Sequence, residues 1–333
     1  MTAAEHLLRI QSARLTALDP LLPEEGPTPD GHVLTTALPN GRRVAGVVTF
    51  TENPPGSQSS LWSARWVWEL HPVVGSDVVA GLDALARAWR AALDRGDPNL
   101  VGDADSSCLL SWPSRDVEAT RTLLDHGFVP LSVLAVRVND GPERDVVSSA
   151  VSAPVPAAAT AGPAGGSPAD VRIRRARLAD LDAALDLSLA ELAYSALVGG
   201  TIVRPDAAEL KRESIGYRLR RDDPVWLAEQ DGLPVALAEC GFAEVPEGAG
   251  RRFMVTAGRW GYVNTLSVSA AVRDRGVGQR IMAVAHRELR RAGAVGTYLY
   301  YNPANPLSSV FWPRQGYRPL WTIWEVRPAG ALR

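Results

Sequence analysis

Residues 273–278 read Arg-Asp-Arg-Gly-Val-Gly, and they stand between a strand-like run, Tyr262–Val268, and an amphipathic run that opens at Val277. A strand that ends in an Arg-x-x-Gly-x-Gly turn and then starts a helix aims several backbone N–H groups at one point. Glycine lets the chain approach a ligand closely, and the helix N-terminus adds partial positive charge. The turn therefore suits a phosphate or pyrophosphate. Six residues alone would also serve as an ordinary turn with two glycines, so the flanks have to decide.

The helix predicted over Val277–Ala292 sets Val277, Ile281, Ala285 and Leu289 on one face and Arg280, Arg287, Arg290 and Arg291 on others, and it ends at Gly293. A strand, Thr297–Tyr301, follows. Asn305 then caps a short helix through Trp312, Gly316-Tyr317 ends it, and a last strand spans Leu320–Val326.

Strand, glycine turn, helix, strand, short helix and strand in this order resemble the acetyl-CoA-binding core of the GNAT (GCN5-related N-acetyltransferase) superfamily. Leu266-Ser267-Val268 with Arg273–Gly278 matches its first motif, and Asn305 through Phe311-Trp312 to Gly316-Tyr317 matches its second without a gap. The resemblance implies an α/β (α+β) fold, a mixed and mostly antiparallel sheet flanked by helices. It implies acetyl-CoA (coenzyme A) as co-substrate, with no metal. Arg273, Asp274, Arg275, Gly276, Val277, Gly278 and Gln279 would hold the pyrophosphate, and Leu266, Ser267 and Val268 would line the pantetheine. Asn305 would reach the cofactor through its amide. Two positions depart from the family: Trp312 stands where a Tyr acid is usual, and Tyr300 stands where some members carry a Glu base. An indole has no acidic O–H, and a phenol is a poor base near neutrality.

Other groups could serve catalysis. Glu239 sits mid-way along an otherwise apolar strand, where a lone carboxylate is expensive unless used or paired. Asn264 shares a strand face with Tyr262 and could hold a water or the acceptor. With Tyr300 these are the candidate catalytic residues, although an apolar or aromatic wall is an equally direct reading of the many Trp and Tyr residues. Glu229 and Glu244 read as solvated, and His286 as a surface residue among arginines.

Across 140–170 the chain is rich in Ala, Pro, Gly and Ser with almost no large side chains, which predicts a flexible linker between two domains. Residues 171–333 supply a complete GNAT-like domain, with helices over Leu181–Val198 and Pro205–Arg221 and a hairpin around Asp231-Gly232. Residues 1–139 echo it. An offset that sets Gly127 on Gly316 also sets Leu110, Pro130 and Leu131 on Leu299, Pro319 and Leu320. The echo lacks the glycine turn: Ser76 and Val79 stand for Arg273 and Gly276, and Asp116 for Asn305. A pair with one degenerate half is similar to the arrangement of the mycothiol synthases.

A net charge of −2 argues against a nucleic-acid partner. No apolar run is long enough to span a membrane, and no signal peptide is legible, so a soluble, cytoplasmic monomer or homodimer is expected. Two cysteines, Cys108 and Cys240, offer neither a disulfide framework nor metal spacing. Lys211, the sole lysine, reads as the codon usage of a GC-rich genome. The function expected is acetyl-CoA-dependent N-acetylation of a small-molecule amine by direct transfer in a ternary complex. The alternatives are a non-catalytic acyl-CoA sensor, or an acyltransferase using a longer acyl-CoA.

Overall fold

The computed structural model describes residues 3–24, 29–139 and 171–333, so the 140–170 segment lies outside the described residues. The N-terminal half runs α1 (Ala3–Leu18), β1 (His32–Ala37), β2 (Arg43–Glu52), β3 (Trp66–Val73), α2 (Val78–Leu93), α3 (Pro98–Val101), β4 (Ser106–Pro113), α4 (Glu118–Asp125) and β5 (Val129–Val138). The C-terminal half runs β6 (Arg172–Arg175), α5 (Leu181–Leu197), α6 (Ala207–Arg220), β7 (Val225–Gln230), β8 (Leu233–Val245) and β9 (Gly258–Val268). It continues with α7 (Val277–Arg291), β10 (Gly296–Tyr301), α8 (Pro306–Arg314) and β11 (Arg318–Val326). Among these, α1 and α3 have no counterpart in the sequence-based expectation.

All eleven strands form one mixed sheet in the order β1-β2-β3-β4-β11-β5-β10-β9-β8-β7-β6. The halves exchange their closing strands. β5 pairs with β10 of the other half, and β11 pairs with β4 of the other half and with β5. The two sequence halves therefore share one sheet, and their division in sequence is not a division in space.

Local chemistry explains the elements. Asp231 and Gly232 both have positive φ (53° and 78°), as a two-residue turn between β7 and β8 requires for strands of natural twist. The apolar stripe Val277, Ile281, Ala285 and Leu289 buries α7 against the small side chains Ala236, Ala238 and Cys240 of β8, which let the helix lie close. On the same face, α2 and α4 cover the N-terminal half through Leu82, Leu85, Trp89 and Leu123. α5 and α6 cover the opposite face through Leu185, Ile215 and Leu219 against Leu227 and Leu237. Among the described residues, no helix is long and apolar enough to cross a membrane.

Polar ties lock the halves together. Arg204 donates to Asp105 at 2.6 Å and 3.0 Å and to the Ser60 carbonyl at 3.0 Å. Arg318 of β11 pairs with the buried Asp19, just after α1, with Nη2–Oδ1 at 2.9 Å. Burial pushes the Asp19 carboxyl up, but the Arg318 hydrogen bonds and the Leu21 N–H more than offset this and hold it below its ordinary value.

His286 corrects the sequence reading. It is buried rather than on the surface, and its Nε2 lies 2.8 Å from the Tyr317 hydroxyl, which is 2.8 Å from Thr297 Oγ1. Arginine neighbours in sequence suggested solvent, but position 286 flanks the apolar stripe. Burial, aided by Arg137, lowers its pKa from 6.5 to about 3. A depressed folded pKa means that the unfolded chain takes up the proton first as pH falls. His286 therefore contributes stability above pH 6.5 that is lost as pH falls toward about 3. The slope from this group reaches about 1.4 kcal/mol per pH unit. Chemical denaturation across that window should show a shallower slope in His286→Gln, which keeps a hydrogen-bonding side chain but cannot titrate.

Candidate functional site

β9 pairs in parallel with β10 only from Trp260 to Val263, although β9 continues to Val268 and β10 to Tyr301. The two strands part after Val263. The cause lies on the other edge of β9: the register with β8 jumps from Glu239↔Thr265 to Cys240↔Val263, leaving Asn264 as the extra residue of a bulge. A bulge bends and twists its strand. The edge of residues 264–268 facing β10 is thus left without a strand partner.

A cleft of about 550 Å³ opens from this parting. Leu266, Ser267 and Val268 form one wall and α8 the other, with the turn of Arg273, Asp274, Gly276, Val277, Gly278 and Gln279 across the end. Arg275 does not line it. Gly276 caps α7 with φ of +76°, a conformation that costs any other residue, and a Cβ there would meet nothing nearer than Gln279 Oε1 at 4.0 Å. The space beside it is open cleft. Gly278 serves packing instead, because a Cβ there would lie 3.3 Å from Phe311 and 3.4 Å from Val268. Arg273 is positioned by a bond from its Nε to the Val268 carbonyl (3.1 Å) and by the Tyr194 ring, 5.6 Å away. Arg314 brings a second cation to the lining. Backbone amides of a helix start beside two guanidinium groups make the end of the cleft an anion site.

Asn305 caps α8, its Oδ1 accepting from Leu307 N (3.0 Å) and Ser308 N (3.2 Å), so its amide nitrogen is the group left to donate. Trp312 lines the cleft yet is buried between Phe311 (4.9 Å) and Tyr317 (5.4 Å) as part of the core under α7.

Behind β9, on the α5–α6 side, Glu239 is only 1% exposed. Its Oε1 accepts from Arg218 Nε (2.8 Å) and from Asn264 Nδ2 (2.9 Å), and its Oε2 meets no donor among the described residues. The structure thus brings two of the three sequence candidates together. Tyr300 lies apart, 43% exposed, edge-on to Tyr262 and Tyr298 at 6.5 Å and 6.4 Å, and it does not line the cleft.

Sequence reasoning missed Glu191. It reaches the cleft from α5 and accepts from Ser195 Oγ at 2.6 Å. Burial raises its pKa, Ser195 and Lys211 pull it down, Glu239 pushes it up, and the net direction is upward. One signal was available. Lys211 is the sole lysine and is buried, 5.1 Å above the Trp62 ring of the other half, and an isolated buried cation implies a nearby carboxylate. Among the described residues, no group of three His, Cys, Asp or Glu side chains could hold a metal ion.

The N-terminal half repeats the parting. β3 pairs with β4 only as far as Leu70 and then continues to Val73. Here α1 fills the opening. Gln11 Nε2 donates to the Pro72 carbonyl (3.0 Å), and Val74 N donates to Gln11 Oε1 (2.8 Å). Arg14 donates to the Gly75 carbonyl (3.3 Å) and to Asp116 (2.5 Å), which also accepts from Trp112 Nε1 (3.0 Å). A single amide group has satisfied the bare strand end.

Residues 191–317 match the model of the acetyltransferase (GNAT) family. Of the solved structures, a GCN5-related N-acetyltransferase from Sphaerobacter thermophilus is 13% identical, with a TM-score of 0.52, over 91% of this chain and 83% of that one. That likeness is one of fold, and it spans both halves. A GCN5-related N-acetyltransferase from Ralstonia eutropha JMP134 is 22% identical over 45% of this chain and 93% of that one, with a TM-score of 0.35. A PaiA N-acetyltransferase from Thermoplasma acidophilum, in complex with coenzyme A, is 13% identical over 47% of this chain and 99% of that one, with a TM-score of 0.36. No curated protein matches the chain.

The Gln11 contacts make a direct test possible. Gln11→Ala strands the Pro72 carbonyl and the Val74 amide in the interior, which costs about 1–3 kcal/mol. Urea denaturation should show that loss, and the C-terminal cleft should keep its ligand affinity.

Proposed function

We propose, from the premise that this chain belongs to the GNAT acetyltransferase family through residues 191–317, that it transfers an acetyl group from coenzyme A to the amine of a small molecule in a ternary complex. The observation that carries the reading is the cleft itself, an anion site at a helix start joined to an unpaired strand edge. Residues present fit the cofactor. The space beside Gly276 accepts a phosphate group, and Arg273 and Arg314 supply counter-charge. Leu266, Ser267 and Val268 offer a backbone edge of the kind that Gln11 satisfies with an amide in the N-terminal half, and pantetheine is a chain of amides. When bound, coenzyme A supplies an activated acyl carbon.

The chain's own residues do the rest. Glu191, with its pKa raised, is a stronger base than an ordinary carboxylate, and it is the proposed acceptor of the amine proton, directly or through one water. Lys211 and Ser195 hold its charge in place. Asn264 and Glu239 position the strand at its bulge. Both thiols, Cys108 and Cys240, are raised by burial, which leaves neither as a nucleophile and favours direct transfer. The acceptor is proposed to approach on the α5–α6 side, where Tyr262 stacks on Tyr298 at 5.0 Å and the negative charge of Glu69, from the N-terminal half, acts on Tyr300. The contact of α6 with residues 58–61 narrows that side, which fits a small acceptor.

Trp312 favours a second reading, a binding module without transfer, because it brings no acid for the departing thiolate. Thiol release from acetyl-CoA with a panel of amines separates the two, since a sensor binds coenzyme A and releases no thiol. Glu191→Gln should lower kcat by about 10²–10⁴-fold and leave the affinity for acetyl-CoA nearly unchanged. Activity depends on the deprotonated form, so it should fall as pH drops through a pKa above the ordinary carboxylate range, and that limb should vanish in the variant. Gly276→Val forces a β-branched residue to φ of +76° and should abolish coenzyme A binding in calorimetry. Retained affinity would refute the assignment of the turn.

A further inference from the structure

We propose that the N-terminal half holds a second binding site, for a small aromatic carboxylate, in a cavity remote from the cleft. The cavity measures about 550 Å³ and lies between the β1–β2 strands, Trp68 of β3, the C-terminal end of α2 and α3. This volume falls within the range of small-molecule pockets. It sits at the end of α2 opposite the α1-filled opening, so it is not the degenerate counterpart of the cofactor cleft.

Its walls select a flat apolar body. Phe50 is 51% exposed although it lies 5.0 Å from Trp68 and stacks at 6.1 Å on Trp66, and together these rings form an open aromatic shelf beside the cavity. Ring faces of this kind bind planar molecules by stacking, worth about 0.5–1.5 kcal/mol per pair beyond burial. The interior supplies one polar demand. Trp89, which lines the cavity and is 1% exposed, has an indole N–H with no acceptor among the described residues. An indole can only donate, so the matching ligand atom is an acceptor. The rim sets the charge. Arg95 has no ion-pair partner among the described residues, whereas the neighbouring Asp97 already accepts from Asn99 N at 2.9 Å as the cap of α3. Donors are therefore in surplus, and an oxygen acceptor bearing negative charge on an aromatic ring answers the rings, the N–H and the guanidinium together.

Titration calorimetry on the full chain tests this with 2-naphthoate as probe, against 2-naphthylmethylamine as its cationic counterpart. Expected is saturable one-to-one binding of the naphthoate, at least about tenfold tighter than the amine, and unchanged by saturating coenzyme A. Trp89→Phe keeps the ring and removes the N–H, and should weaken the naphthoate about tenfold. Arg95→Glu alters an exposed side chain without touching the core, and should reverse the preference between the two probes. Absence of saturable binding, equal affinity for the amine, displacement by coenzyme A, or indifference to both substitutions would each overturn the proposal.

Discussion

A β-ladder leaves a bare edge wherever it stops, and the halves of this chain resolve theirs by giving each other a closing strand. The cofactor cleft depends on that exchange. β10 can part from β9 after Val263 because its other edge is held along its full length by β5, from Gly296↔Val138 to Tyr301↔Val133. The wall of the C-terminal cleft is thus secured by a strand from the N-terminal half. This gives the half that lacks a glycine turn a mechanical role: remove it, and β10 would carry two bare edges where it now carries part of one.

Both halves part at the same place in their topology, yet only one opening is a cleft. Strand ends with unpaired N–H and C=O groups cannot stay buried without partners. In the N-terminal half α1 supplies them through Gln11, and Arg14 neutralises Asp116 where a phosphate-bearing ligand would otherwise be repelled. The C-terminal half has no helix in that position and instead presents the αL turn at Gly276 and the free amide of Asn305. Loss of the glycines and gain of the plug are two sides of one change, since a filled opening no longer needs close backbone approach.

What the sequence could show was local. The glycine turn, the α7 stripe, the Asn305 cap and the Asp231-Gly232 hairpin each depend on residues within a few positions of one another, and each is found where the pattern puts it. The echo at Gly127 and Gly316 has a structural basis, because both adopt positive φ (88° and 84°) just before β5 and β11. Nothing in a constant offset could say that these two strands pair with each other and change places between halves. Glu191 was invisible for a similar reason. It lies on α5, a helix apolar on nearly every face, and its partners Lys211 and Glu239 arrive from α6 and β8. His286 was misread because sequence neighbours do not fix which flank of a helix meets the sheet.

The bulge at Asn264 joins these threads. Glu239 is a buried carboxylate, costly to hold unless paired, and Arg218 from α6 and the Asn264 amide both converge on its Oε1. Breaking such a pair leaves an uncompensated charge, so the network specifies one register of β8 on β9 far more sharply than apolar contacts would. A slip by one residue would remove the bulge, lay β9 flat along β10 and close the cleft. Glu239 therefore needs no direct part in proton transfer to be essential: it fixes where the strand bends. Glu191, held at the cleft by Ser195 and Lys211 and raised by burial, is left as the carboxylate free to exchange a proton with what enters there.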